Sequence, residues 1–328
     1  MSEKKRIVSG MRPTGPLHLG NYHGALENWI RMQDTYDCFF FIADWHALTS
    51  NYENPGDIPA FTRQMIIDWL SAGLSPEKST LFIQSHIPEH AELFLLLSMI
   101  TPVPWLERNP TYKDQMDQLK TKDLSTFGFL GYPVLQAADI IIYKAQGVPV
   151  GVDQVPHIEI TREIARRFNH LYGQVFPEPD AILTKSAKIL GTDRRKMSKS
   201  YDNAIYLSDA PEAIGKTVSQ MITDPQRARK SDPGNPDVCN VFEFHKLYSP
   251  ASLVSTINAD CRIAKIGCVE CKKQMAAHLI TVLTPLREKN EYYKDHPEIV
   301  DDILRAGEEK ARRVAKDTLM EVRAAIHL

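Results

Sequence analysis

The stretch Ser9-Gly10-Met11-Arg12-Pro13-Thr14-Gly15-Pro16-Leu17-His18-Leu19-Gly20-Asn21-Tyr22 decides how the N-terminal part of the chain reads. The apolar pair Ile7-Val8 precedes it, and Leu26, Trp29, Ile30 and Met32 follow at spacings of three and four. That is a strand, a turn punctuated by glycine and proline, and a helix start. Glycines let the main chain approach a ligand closely, and a helix N-terminus offers free N–H groups with partial positive charge. His18 and Asn21 add small donors where a phosphate or ribose oxygen would rest. Taken alone, the stretch also fits an ordinary strand–turn–helix.

A second stretch is Lys196-Met197-Ser198-Lys199-Ser200, in a loop after Gly191. Two ammonium groups interleaved with two hydroxyls suit a flexible clamp on a polyphosphate, since lysine is a point charge that follows moving oxygens. A lone basic pentapeptide would read as a solvated face. The pair of stretches resembles the two signatures of class I aminoacyl-tRNA synthetases, His-x-Gly-His and Lys-Met-Ser-Lys-Ser. The second is matched letter for letter. In the first, His18 and Gly20 match and Asn21 stands at the second histidine, a departure familiar in the tryptophan branch of the class.

Between the signatures the chain alternates strand and helix. Cys38 to Ala43 reads as a buried strand ending at Asp44-Trp45-His46, and polar groups there sit where open parallel sheets bind ligands. His46 equally fits a hydrogen-bonded core histidine. Asp57 to Leu74 carries helical spacing, Thr80 to Gln84 is another strand, and Glu92 to Ile100 is a leucine-rich helix. This is the pattern of a doubly wound parallel α/β sheet. Leu106 to Asp123 is more polar and reads as a lid or connective insertion, in which Lys113 reads as solvated rather than bound to phosphate.

Gly128 to Ala145 suits a mostly buried helix, started or kinked by Pro133. Tyr132, Gln136 and Asp139 are four and three residues apart and share one face. A carboxylate among Ala137, Ala138, Ile140 and Ile141 needs a donor, either a structural one or one from a substrate. This stretch resembles the amino-acid-recognition helix shared by the tryptophan and tyrosine branches, which favours an indole N–H or phenol O–H as that donor. Val148 to Gln154 repeats the strand–turn–helix start. The resemblance implies ATP contacts at Gly151, Val152 (backbone only, since glutamate is usual there) and Asp153, and an amino-acid contact at Gln154.

Cys239, Cys261, Cys268 and Cys271 are a third feature, ending in a Cys-x2-Cys pair. Four thiolates suit zinc or an iron–sulfur cluster, and spacing alone puts zinc first. The set also resembles a subset of bacterial synthetases of the tryptophan branch with a [4Fe–4S] cluster beside the anticodon-binding region, which moves the expectation to the cluster. Cys38 reads as a core hydrophobe.

At 328 residues, with a formal net charge of −2, the chain has no global field for nucleic acid, so RNA contact needs local basic patches. No secretory leader or membrane-length apolar run is visible, so cytoplasmic residence is expected, with no membrane and no DNA partner. Taken together, the resemblance implies a Rossmann-like catalytic domain over 1–205, with a partly helical connective insertion at about 105–190. A helical anticodon-binding domain over 206–328 follows. It implies activation of L-tryptophan with Mg2+-ATP, transfer to tRNA(Trp), and a homodimer. ATP contacts are expected at Arg12, Pro13, Thr14, His18, Gly20, Asn21, Ile189 and Lys196 to Ser200, with Lys196, Lys199, Thr14 and Asn21 catalytic. Tryptophan contacts are expected at Val8, His46, Tyr132, Gln136, Asp139 and Gln154. The tyrosine branch is the alternative. Val8 argues against it, because many tyrosine enzymes carry a tyrosine there for the phenol. A small-molecule nucleotidyltransferase and a catalytically silent RNA-binding relative are the rivals from other classes.

Overall fold

The computed structural model describes residues 4–110, 124–184 and 189–328; Lys113 lies outside them. Five strands form one parallel sheet: β1 (Arg6–Met11), β2 (Asp37–Ile42), β3 (Ser79–Ile83), β4 (Gly147–Val150) and β5 (Asp180–Leu183). Their order is β3-β2-β1-β4-β5. The register pairs Val8 with Phe39 and Phe39 with Thr80 on one side, and Ile7 with Gly147 on the other. Chain direction of travel reverses between β1 and β4. In a sheet of this kind the crevice past the carboxyl ends of those two strands is where ligands bind.

β2 shows why the sheet is covered on both faces. It is apolar without alternation, and consecutive side chains point to opposite sides. Phe40 stacks on Trp29 at 4.6 Å, and Trp29 meets Trp69 edge-on. Phe39 and Phe41 face the other way, into a core shared with Leu93, Leu97, Val134, Ala138 and Phe82. The connective insertion is expected at about 105–190. It supplies β4 and β5, and β4 pairs directly with β1. The strand read at Val148 is β4, whereas short, polar-ended β5 carries too little pattern to be counted as sheet.

The chain divides into two compact units, 1–15 with 25–186 and 296–328, and 16–24 with 187–295. The second is built around the long Cys268–Asp295 helix, against which the Pro211–Ser219 and Asn240–Tyr248 helices pack. The sequence reading assigned all of 206–328 to one helical domain. The Pro297–Ala325 helix lies on β3 and on the Glu89–Ser98 helix in the sheet unit. Its backbone approaches so closely that a Cβ at Gly307 would collide with the Leu81 carbonyl. Arg323 grips Glu92 with two bonds of 2.7 Å. Val300, Leu304, Ala311, Ala315, Leu319 and Val322 repeat at helical spacing. Periodicity reports that such a stripe is buried, not what buries it.

Candidate functional site

In the 16–24 and 187–295 unit the two signature stretches lie together. Leu19 N–H donates to the Ile205 carbonyl and Leu207 N–H to that of Leu17, each at 2.9 Å. The turn is closed by a reciprocal cap: His18 N–H donates to Asn21 Oδ1 at 3.1 Å, and Asn21 N–H donates to His18 Nδ1 at 3.3 Å. Asparagine supplies the acceptor that this cap needs at position 21. Because Nδ1 accepts, the neutral ring carries its proton on Nε2 and is a donor there. Burial, together with Lys199 and Lys196, pulls the His18 pKa down to about 4, so the ring is neutral near pH 7. Gly20 passes over Met197, whose side chain is buried while Lys196 is exposed. Ile189 anchors the loop by accepting the Met197 N–H.

The sheet unit holds the other expected residues. Arg12 and Thr14 are exposed at the end of β1, and Val152 and Asp153 at the end of β4. Gln154 Nε2 donates to Asp153 Oδ2 at 2.9 Å. Tyr132 lies on the Phe127–Ile141 helix, which Thr126 caps seven residues before Pro133, so the proline neither starts nor ends it. Tyr132 OH is 3.4 Å from His157 Nε2, and Asn109 Nδ2 is 3.2 Å from His157 Nδ1. Burial first, then the charges of His46 and Arg12, hold the His157 pKa at about 4 against the opposing pull of Asp153. His157 thus joins Tyr132 to Asn109 within electrostatic reach of His46, Asp153 and Arg12, and the sequence reading missed it. The available signal was a histidine in the first helical turn, three residues after Gln154.

Asp139 departs from expectation. Its donors come from the protein: His46 Nε2 at 2.7 Å and Gln84 Nε2 at 2.9 Å on Oδ2, and His90 Nδ1 at 2.6 Å and Gln84 Nε2 at 2.8 Å on Oδ1. Burial works against the charge, but the bonds from His46 and His90 outweigh it and bring the pKa to about 2. The carboxylate is ionised and saturated, so a direct bond to a substrate donor requires one protein partner to yield. His46 is the one of the three that is not closed off, with 11% of its side chain exposed. Val8 is fully buried beside Phe39 and Phe41, while Gln136 is half-buried.

The four cysteines lie in the helical unit, near enough that Cys239, Cys261 and Cys268 all bear on Cys271. Burial first, then those thiols, push the Cys271 pKa up to about 12. Arg227 Nη1 points at Cys261 Sγ (3.8 Å) and Cys268 Sγ (3.9 Å), held from behind by the Lys230 and Ile266 carbonyls. Two of the four sulfurs, those of Cys261 and Cys268, thus face one guanidinium. Among the described residues, no three His, Cys, Asp or Glu side chains are arranged to hold a single metal ion.

Within the 16–24 and 187–295 unit, the turn and the paired-lysine loop suit a phosphate-bearing ligand. The profile of the family described as "tRNA synthetases class I (W and Y)" matches residues 1–284, and the chain belongs to that family. It is 52% identical to a tryptophan–tRNA ligase of Thermotoga maritima, over 98% of this chain and 99% of that one. It is 47% identical to the tryptophan–tRNA ligase of Aquifex aeolicus, over 98% and 100%. A crystal structure of tryptophanyl-tRNA synthetase from Campylobacter jejuni, complexed with ADP and tryptophan, superposes with a TM-score of 0.92. It is 33% identical and covers 98% of this chain and 100% of that one.

Proposed function

We propose that this chain is a tryptophan–tRNA ligase. Likeness to tryptophan–tRNA ligases along nearly the whole of both chains carries the reading. In the first step a tryptophan carboxylate oxygen attacks the α-phosphorus of Mg2+-ATP. The bond to the bridging oxygen breaks, and tryptophanyl-adenylate and pyrophosphate form. In the second step a ribose hydroxyl of the terminal adenosine of tRNA(Trp) attacks the carbonyl, and AMP leaves. The protein supplies position and charge rather than covalent bonds. Lys196 and Lys199 stabilise the charge growing on pyrophosphate, and neutral His18 donates from Nε2. Arg12, Pro13, Thr14, Gly20, Asn21, Gly151, Val152, Asp153, Ile189, Met197, Ser198 and Ser200 line the ATP path. Val8, His46, Tyr132, Gln136, Asp139 and Gln154 enclose the tryptophan, with Asp139 acting through the histidines bonded to it until His46 yields. Amino-acid-dependent ATP–pyrophosphate exchange tests this, with exchange expected for tryptophan alone. Exchange with tyrosine would overturn the substrate and keep the chemistry.

We also propose that Cys239, Cys261, Cys268 and Cys271 hold a [4Fe–4S] cluster rather than zinc. The resemblance to the cluster-bearing subset supports it, as does the nearness of all four thiols to one another, two of them against Arg227. Catalysis by residues 1–205 and tRNA reading by the helical unit complete the reading, with a homodimer in the cytoplasm as the working form. A monomeric mass by light scattering would remove the dimer.

A further inference from the structure

We infer that Asn203 is a positioning residue for the polyphosphate clamp, an inference that rests on the reading of Lys196 to Ser200 as that clamp. Asn203 lies just outside the signature, and its side chain is almost fully buried at 1% exposure. Its Oδ1 accepts the Ser198 N–H at 2.8 Å. Its Nδ2 donates to Asp193 Oδ1 at 2.7 Å and to the Lys196 carbonyl at 3.2 Å. Its own carbonyl accepts the Thr192 N–H at 3.0 Å. One residue therefore fixes the loop before the first lysine, at that lysine, and between the two lysines.

The surrounding chain is built for this amide. A Cβ at Gly191 would lie inside the Asn203 carboxamide. Gly191 in turn is held by Asn240, buried to the same degree, whose Nδ2 donates to the Gly191 carbonyl at 2.7 Å. The Ile222 N–H holds the Thr192 carbonyl at 2.9 Å. Asp193, pinned by Asn203 on Oδ1, takes Arg195 Nε on Oδ2 at 2.6 Å. The lysine side chains stay exposed or half-exposed while the backbone under them is tied down. Such an arrangement keeps two flexible cations anchored over one place, which is what stabilising charge on a leaving pyrophosphate requires. An aspartate at 203 could still accept from Ser198 but would set a carboxylate against Asp193 and the Lys196 carbonyl. The position needs an amide.

The test compares ATP with AMP, which has no β- or γ-phosphate for the clamp to hold. Dissociation constants are measured by calorimetry on the full chain for wild type, Asn203→Ala, Gly191→Ala and Lys199→Ala. Gly191→Ala keeps the amide but displaces it. Asn203→Ala and Gly191→Ala are expected to weaken ATP about tenfold, the equivalent of ~1.4 kcal/mol, with AMP held within about twofold. The tryptophan KM should stay level while the exchange rate falls. Unchanged ATP binding, or equal losses for ATP and AMP, would overturn the proposal. Lys199→Ala separates the two claims. If it too fails to distinguish ATP from AMP, the clamp reading falls and takes the inference with it. If it does distinguish them while Asn203→Ala and Gly191→Ala do not, the inference alone falls.

Discussion

His90 bridges Asp139 and Tyr143: its Nδ1 lies 2.6 Å from Asp139 Oδ1 and its Nε2 lies 2.6 Å from the Tyr143 hydroxyl, with the ring fully buried. A buried carboxylate that loses a donor is costly, and so is a buried hydroxyl without a partner. His90→Leu should therefore destabilise the protein by roughly 3 kcal/mol. The measurement is the urea midpoint, and a midpoint equal to wild type would contradict this account of the network.

Asp139→Asn keeps the shape and removes the charge. An amide cannot accept from His46, Gln84 and His90 as a carboxylate does, so at least one donor is left facing an N–H. We predict a drop in kcat/KM for tryptophan on the order of a hundredfold. Discrimination against 1-methyltryptophan, which lacks the indole N–H, should shrink with it. Intact discrimination would remove Asp139 from substrate selection.

Lys199→Ala should lower the adenylation rate on the order of a hundredfold or more while leaving the tryptophan KM unchanged, because the charge it meets appears on the leaving pyrophosphate. Normal turnover in pyrophosphate exchange would sink the clamp.

The pH dependence of stability follows from His18 and His157. Burial leads in lowering both pKa values to about 4, against 6.5 when exposed. The unfolded chain then binds the extra protons, so stability rises with pH across that interval and is lost as pH falls from 6.5 toward 4. Asp139 extends the loss at lower pH, as its carboxylate protonates between 3.8 and about 2. Melting temperatures from pH 7 to pH 4 should show the decline, and His157→Gln should flatten it.

For the cysteines, anaerobically purified protein should contain about four iron atoms per chain and absorb near the visible region typical of thiolate-ligated iron. Cys268→Ala should lose both. Stoichiometric zinc with no iron would decide for the other metal.

The parts legible in sequence were those whose signal is local. Cys38 to Ala43 reads as a strand because six apolar residues in a row fit little else of that length. Lys196 to Ser200 reads as a clamp because charge and hydroxyl alternate within five positions. What escaped is pairing across the chain. His90 and Gln84 meet Asp139 from 49 and 55 positions away, and nothing near either residue announces it. The sequence showed that Asp139 needed donors but not that three protein side chains supply them. Asn203 escaped for the opposite reason. It sits three residues beyond the signature and looks like a turn residue until its three bonds are seen.

The Pro297–Ala325 helix closes the sheet unit only after the ribosome has made the intervening 187–295 segment. Until then Phe82 and its neighbours on β3 lack the cover that Ala311, Ala315 and Leu319 provide. The nascent sheet must wait with apolar surface bare, a stage at which chains associate wrongly. A message broken before codon 297 would thus yield a product that carries both signatures yet cannot finish its own core, and quality control, rather than a partial activity, awaits it.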